Sequence, residues 1–364
     1  MRKLILALGL FFALPAQAAD INVATVGPMT GPNASKGEQM RRGAEMAVAD
    51  INAAGGVNGK KLALAVGDDV CDPKQAVSVA NQMISRGMVF VAGHYCSGSS
   101  IPAAPLYAEE GVLQMSPGST NPQLTEQGLD TTFRICGRDD QQGPVSGNYI
   151  LQHFKGQNVA VLHDKSAYGK GIADQVKDVV EKATGKPVAM YDAYTAGDKD
   201  FNALVARMKK ADIAVVFLGG SSHLEIGLIV RQMREAGLKA QVMGGDSLMT
   251  SEFWSITGDA GEGVLMTFGP DPRNQPQAKA VVDRFRAQHY EPEGYTLYTY
   301  AAFQAWAQAA KTAGKTDATA VSKALKNGTF DTVIGPVGFD SKGDVKAPTY
   351  VIYKWSKGQF SELK

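Results

Sequence analysis

The chain has 364 residues, 44% of them hydrophobic, with 37 Lys and Arg against 36 Asp and Glu. Such a near-neutral balance excludes the electrostatic footprint of a nucleic-acid partner or an anionic membrane surface. The length exceeds what one hydrophobic core usually fills, so two domains are expected.

Residues 1–18 read as a secretory signal: Arg2 and Lys3, the apolar run Leu4 to Leu14, then Ala16-Gln17-Ala18 as an A-x-A cleavage site. The apolar run is too short to span a bilayer, and no later segment is long and apolar enough to do so. No cysteine follows the cleavage point, which argues against a lipid anchor. Losing Arg2 and Lys3 leaves 35 basic against 36 acidic residues, a net charge of about −1. The expectation is a free monomer in the periplasm, cleaved after Ala18.

From there the pattern alternates strand and helix. Ile21–Val26 is apolar and β-rich, Lys36–Asn52 is amphipathic and stops at Gly55-Gly56, and Leu62–Val66 is a strand. Pro73–Ser85, Met88–Ala92, Ile101–Glu110 and Val112–Met115 continue as helix, strand, helix and strand. Buried parallel strands with crossover helices account for such short β-branched runs. The alternation restarts after Arg138, with helices at Val145–Phe154, Gly169–Lys182, Phe201–Lys209 and Leu224–Ala236. Strands at Val159–Leu162, Val188–Tyr191, Ile213–Leu218, Gln241–Gly244 and Val264–Thr267 lie between and after them. After Phe268-Gly269-Pro270-Asp271-Pro272 the pattern turns helical (Gln277–His289, Leu297–Ala313, Ala318–Leu325), with strands near Thr332–Ile334 and at Tyr350–Trp355.

This predicts an α/β protein of two doubly wound, Rossmann-like lobes. The chain would cross between them near Arg138–Gln142, Gly269–Pro272 and Ala347–Thr349, a three-segment hinge. Residues 19–138 and 270–348 would form the N-terminal lobe, and 139–269 and 349–364 the C-terminal lobe. The cleft between lobes is then the default ligand site. Three cysteines in an exported chain suggest a disulfide with one thiol left over. Cys71 and Cys96 each lie just after a predicted strand of one lobe, and closing that loop would stabilise by roughly 3–4 kcal/mol. Cys136, at a strand end, reads most simply as a buried free thiol.

The signatures of an enzyme are missing. No G-x-G-x-x-G follows a strand, and there is no P-loop and no G-x-S-x-G elbow. The histidines His94, His153, His163, His223 and His289 are scattered without metal spacing, so neither a metal nor another cofactor is expected. His163-Asp164 has no nucleophile to serve, and His163 reads as a strand-end histidine bonding local backbone.

Four strand-end loops instead suit a zwitterion. Gly93 to Ser100 leaves a strand and opens a helix, whose free N–H groups attract a carboxylate; Ser99 and Ser100 suffice as caps, leaving Ser97 to add a hydroxyl. Ser116-Pro117-Gly118-Ser119-Thr120-Asn121-Pro122 is a second turn-rich loop. In the third, Tyr168 can cover an amino acid and donate its hydroxyl to a carboxylate. In the fourth, Gly244-Gly245-Asp246-Ser247, Asp246 supplies the counter-charge that a buried ammonium needs.

At these loops the sequence resembles the periplasmic leucine/isoleucine/valine-binding proteins, the type I binding proteins that feed ABC importers. The resemblance spans essentially the whole mature chain. It rests on Gly27-Pro28-Met29-Thr30-Gly31-Pro32, Asp69-Val70-Cys71-Asp72-Pro73, Gly93-His94-Tyr95-Cys96-Ser97, Ser116 to Pro122 and His163 to Gly169. It implies that Ser97 and Thr120 hold the ligand carboxylate, that the backbone at Gly118 and Ser119 helps hold its amino group, and that Tyr168 closes over it. Asp246 stands where the family usually has Glu, and Cys71 and Cys96 match the family's disulfide. The side-chain half departs: Lys36 replaces an aromatic at the lip, Tyr95 a smaller aliphatic beside Cys96, and Ser221 a tyrosine, while Tyr295 matches a pocket aromatic. One methylene in an apolar pocket is worth only about 1–3 kcal/mol, so specificity can spread over several aliphatic amino acids. The resemblance implies capture of leucine, isoleucine or valine by hinge closure and delivery to a membrane permease. Alanine, proline or γ-aminobutyrate as ligand, or a sensor role, are the alternatives.

Overall fold

The computed structural model describes residues 20–346 and 349–363; the expected signal at 1–18, and residues 347–348 of the expected third crossing, lie outside them. Two sheets organise these residues. The first holds β1 (Ile21–Gly27), β2 (Leu62–Asp68), β3 (Phe90–Gly93), β4 (Leu113–Ser116) and β5 (Thr132–Arg134) in the order β2-β1-β3-β4-β5, all parallel. The second holds β6 (Asn158–His163), β7 (Met190–Ala193), β8 (Ile213–Gly219), β9 (Gln241–Gly244) and β10 (Leu265–Phe268), parallel to one another. Its order is β14-β13-β10-β9-β8-β6-β7, completed by antiparallel strands described below.

The crossovers run through α1 (Ala34–Ala53), α2 (Pro73–Ser85), α3 (Ser97–Glu109) and α4 (Gln123–Glu126) in the first half. The second half uses α5 (Asp139–His153), α6 (Ala167–Thr184), α7 (Asn202–Lys210), α8 (His223–Glu235) and α9 (Ser251–Thr257). Local chemistry fixes their ends. Asp72 accepts from the N–H of Lys74 and of Gln75 at 2.9 and 2.8 Å, with Pro73 at the first helical position. Gly185 ends α6 in the left-handed conformation, φ 67°.

After β10 the chain turns back to the first sheet with α10 (Lys279–Ala287), α11 (Thr296–Ala313) and α12 (Ala318–Asn327). There Trp306 of α11 stacks on Phe90 of β3 at 4.9 Å, in a core that also takes Phe303 and Phe285. A hairpin, β11 (Thr329–Thr332) and β12 (Gly335–Gly338), follows; β13 (Val351–Ser356) and β14 (Gln359–Glu362) then join the second sheet.

Several expected elements are corrected. Of the strand expected near Thr332–Ile334, Thr332 ends β11, whereas residues 333–334 form the turn of the β11–β12 hairpin, where Val333 is buried. Helix α3 starts at Ser97 rather than Ile101, and α5 at Asp139 rather than Val145, each continuing through its prolines (Pro102 and Pro105; Pro144). Strand β3 begins at Phe90 and β7 at Met190, two residues late. The stretch expected as one helix over Gln277–His289 is a 3-10 turn, Pro276–Ala278, followed by α10. Strand β14 and helix α9 had no counterpart in the sequence reading, and β5 only the strand end implied at Cys136.

The winding decides where a ligand can sit. In the first sheet the order reverses between β1 and β3, in the second between β6 and β8. Loops leaving the carboxyl ends of strands beside such a reversal splay apart and open a crevice. Every loop singled out from the sequence leaves a carboxyl end.

Candidate functional site

Each ligand-loop is built by its own hydrogen bonds. Cys96 is the N-cap residue of α3 and its side chain makes no cap bond; Ser97 and Gly98 fill the first turn, whose N–H groups have no intrahelical partner. Ser99 and Ser100 do not cap the helix: the Ser100 hydroxyl donates to the His94 carbonyl at 3.0 Å, and Ser99 Oγ has no partner among the described residues. The Ser97 hydroxyl accepts from the Asn121 N–H at 3.3 Å, joining the loop after β3 to the loop after β4.

That second loop hangs on Arg134. Its fully buried guanidinium donates to the carbonyls of Ser119 and Asn121 at 2.9 and 2.8 Å, to Thr125 Oγ1 at 2.7 Å and to Asp344 Oδ1 at 2.8 Å. Arg138 donates to the other Asp344 oxygen at 2.7 Å, and these arginines hold the Asp344 carboxyl below the usual range against the effect of burial. His94 is pinned inside, its ring nitrogens 2.6 Å from Asp69 Oδ2 and 3.1 Å from the Tyr107 hydroxyl. Ser119 Oγ lies 2.6 Å from Ser100 Oγ and donates to the Tyr95 carbonyl at 2.9 Å, so its side chain fastens the two loops. Tyr95 lies flat on Gly118: a Cβ there would stand 2.6 Å from Cδ2 of the ring.

The opposing wall comes from the second sheet. Asp164 Oδ1 accepts from the Ser166 N–H and hydroxyl at 2.9 and 2.6 Å, and Oδ2 accepts from the Ser221 N–H at 2.7 Å, tying the loop after β6 to the loop after β8. His163 Nδ1 accepts from the Lys165 N–H at 3.1 Å, the local backbone bond expected of it. Ser166 caps α6, which aims Tyr168 at Asp246, and the phenol donates to Asp246 Oδ1 at 2.7 Å. Tyr295, at the start of α11 on the first sheet, donates to the other oxygen of the same carboxylate. Burial, then the Asp246 charge, holds both phenols far above the ordinary tyrosine range.

These walls meet on a narrow cavity of about 10 Å³, lined by Tyr95, Cys96, Ser97, Gly118, Tyr168, Ser221, Asp246 and Ser247. Ser97 and Asp246 thus face one space from opposite sheets. Ser119, Thr120, Tyr295 and Lys36 do not line it. Thr120 Oγ1 is buried behind it beside the fully buried Asp139, and neither side chain has a well-formed hydrogen bond among the described residues. Burial pushes the Asp139 carboxyl up to about 8, the nearby Thr120 hydroxyl opposing and the Asp246 charge adding to it. Lys36 is not at an exposed lip: it is fully buried in the seam, donates to the Met249 carbonyl at 3.3 Å, and is lowered to about 8 by burial, with Glu293, Asp246 and Glu252 opposing. Beside it, Glu293 accepts from the Ser251 N–H at 2.9 Å and the Thr250 hydroxyl at 3.2 Å, a second bond between the two sheets' halves.

Cys71 and Cys96 form a disulfide with Cα atoms 5.5 Å apart, and Cys136 is a buried free thiol. Among the described residues no His, Cys, Asp and Glu cluster could hold a metal, and no helix is long and apolar enough to cross a membrane. Residues sequence reasoning missed are the fasteners Arg134, Asp344, Asp164 and His94, together with Ser247 and Asp139.

Residues 20–359 match the model of the periplasmic binding protein family. The chain is 53% identical to the Leu/Ile/Val-binding protein homolog 1 of Brucella suis, covering 93% of this chain and 91% of that one. It is 46% identical to the leucine-, isoleucine-, valine-, threonine- and alanine-binding protein of Pseudomonas aeruginosa, over 95% and 93% of the two chains. Its fold superposes with a TM-score of 0.85 on the branched-chain amino acid transporter substrate-binding protein LivJ of Streptococcus pneumoniae, solved in complex with isoleucine, at 26% identity over 95% of this chain and 99% of that one.

Proposed function

The chain belongs to the periplasmic binding protein family, and from that premise we propose that it captures a branched-chain amino acid in the cavity between its two sheets and hands it to an ABC importer. One observation carries the reading. A helix start with free N–H groups and a buried carboxylate, from opposite sheets, line a single small cavity, which is what the two charged ends of one amino acid require.

Ser97, with the amides of the first turn of α3, holds the carboxylate; the Gly118 backbone and Asp246 hold the ammonium, and Ser119 and Thr120 support the loop of Gly118 from behind. Tyr168 closes over the ligand main chain, and Tyr95, Cys96 and Ser221 shape the side-chain end, with Tyr295 and Lys36 behind the wall. The lobes are 19–138 with 270–348, and 139–269 with 349–364, and they close about the three crossings. A permease then recognises the closed monomer. The protein performs no catalysis, and it reaches the periplasm by cleavage after Ala18. Supporting this are the bonds from Tyr168 and Tyr295, which meet on Asp246 from opposite sheets, and the relatives' named ligands.

Calorimetry of residues 19–364 with leucine, isoleucine, valine, alanine, proline and γ-aminobutyrate tests it. The branched-chain ligands are expected to bind tightest, and Asp246→Ala to lose them, because truncating one partner of a buried charge pair costs about 2–5 kcal/mol. Affinity retained in Asp246→Ala would overturn its role; no binding of any amino acid by folded protein would overturn the function.

A further inference from the structure

The loop after β9 is gripped from the opposite half at three successive points, and none of the three gripping residues lines the cavity. Tyr295 donates to Asp246, Lys36 donates to the Met249 carbonyl at 3.3 Å, and Glu293 takes the residues that follow. A single oxygen of Glu293, Oε1, accepts from the Ser251 N–H at 2.9 Å, the Ser251 hydroxyl at 3.1 Å and the Thr250 hydroxyl at 3.2 Å. Thr250 is the N-cap residue of α9, so this grip falls where the segment that begins at Asp246 passes into a helix. Glu293 is itself fixed in its own half. Its carbonyl accepts from the Thr296 hydroxyl at 3.0 Å, and two residues on, the Tyr295 N–H donates to Gln39 Oε1 at 3.0 Å. A Cβ at Gly294 would stand 2.4 Å from that same Gln39 oxygen, so the turn from Glu293 to Tyr295 sits directly on α1.

Exposed ion pairs contribute little, because water screens them and both side chains must be ordered. The geometry here differs: Glu293 is half-buried, its backbone is pinned, and one of its donors is a main-chain N–H. Hydrogen bonds to a charged acceptor are also among the stronger ones. All three donors come from the second sheet's half, so the bonds exist only while the halves are together and favour that arrangement over the separated one. Resting on the reading that the halves close on a branched-chain amino acid, we propose that Glu293 is a positioning residue for binding. It holds the Asp246–Ser251 segment against the first half and thereby sets how slowly the ligand leaves, without touching it. Contacts completed after the encounter act on release rather than on capture.

The test is calorimetric titration of wild type, Glu293→Ala, Glu293→Gln, Ser251→Ala and the Glu293→Ala, Ser251→Ala double variant with L-leucine, L-isoleucine and L-valine. Release of labelled L-leucine into excess unlabelled L-leucine gives the dissociation rate, and thermal melts without ligand report the fold. Glu293→Ala is expected to weaken binding about tenfold, nearly all of it as faster release, with the ligand-free melting temperature unchanged. Glu293→Gln, which keeps an acceptor oxygen, should recover part of that loss, and Ser251→Ala should cost nothing further once Glu293 is alanine. Affinity within twofold of wild type in Glu293→Ala overturns the proposal. So does a loss that Glu293→Gln does not reduce, or one that adds in full to that of Ser251→Ala. A ligand-free melting temperature that falls in step with affinity assigns Glu293 to the fold and overturns it too. Wild type that folds yet binds none of the three amino acids removes the branched-chain reading itself, and the role of Glu293 with it.

Discussion

Adding one methyl group at Gly118 should close the site from within. A Cβ there would lie 2.6 Å from Tyr95 Cδ2 and 2.9 Å from Cε2. Carbon atoms rest at about 3.5–4.0 Å, so the ring must retreat by about 1 Å. It has little room: Tyr95 is 5% exposed and meets Tyr295 edge-on with ring centres 5.3 Å apart. Tyr295 in turn donates to Asp246. The displaced ring must either enter the cavity or push Tyr295 off the carboxylate. Overpacking of this kind costs about 1–3 kcal/mol, which corresponds to about 5- to 150-fold in affinity where the strain is felt in the bound form. Calorimetric titration of Gly118→Ala should show that loss, and Gly118→Ala combined with Tyr95→Leu should recover part of it because the obstructing ring is gone. Binding within twofold of wild type in Gly118→Ala, or a loss equally large in the double variant, would refute the reasoning.

Reduction of the Cys71–Cys96 bridge should lower the melting temperature, by a stability loss of roughly 3–4 kcal/mol, and oxidised, denatured protein should titrate as a single thiol, Cys136; three thiols would remove the bridge. Asp139 is raised by burial from 3.8 to about 8, so between those values the folded chain holds a proton that the unfolded chain has lost, and stability falls as pH rises through that window. Asp139→Asn should therefore gain more over wild type in thermal melts at pH 8 than at pH 4. Lys36 acts with the opposite sign: lowered by burial from 10.5 to about 8, it makes stability rise between pH 8 and 10.5, a rise that Lys36→Met should lose.

The residues that line the cavity were legible in the sequence because strand-end loops announce themselves locally. A β-branched run, then a cluster of Gly, Ser and Asn, then an amphipathic stretch places Ser97, Gly118, Tyr168 and Asp246 at carboxyl ends without knowledge of any long-range contact. What positions them was not legible. Arg134 and Asp344 are 210 residues apart in sequence, and nothing near either residue shows that they share a salt bridge beneath the Ser119–Asn121 carbonyls. Asp164 had no role assigned from the sequence, yet its two oxygens join the loops after β6 and β8. Prolines misplaced helix starts for a related reason. Pro144 removes one N–H and crowds the carbonyl of Asp140, a local penalty that reads as a boundary, but Gly143 before it has no Cβ to meet the proline ring and burial of α5 outweighs the loss. Val333 and Ile334 failed as strand residues because β-propensity describes fit to a half-buried surface, and Val333 finds that surface in a hairpin turn.

The arrangement around Asp246 explains how this carboxylate can stay buried between the two sheets. A carboxylate 3% exposed is costly to hold unless it is hydrogen-bonded. Here the cost is met in advance, by Tyr168 on one oxygen and Tyr295 on the other. An ionised carboxylate has about four lone-pair sites, so two phenols leave capacity for a ligand donor. The phenols themselves stay protonated, since burial and the Asp246 charge both drive them far above the ordinary tyrosine range. They therefore stay donors across the ordinary pH range. Because Tyr168 and Tyr295 come from opposite sheets, the full set of donors exists only when the halves are together. Asp246 is thus a point at which the two halves meet, and separating them must cost it one of its two phenol bonds.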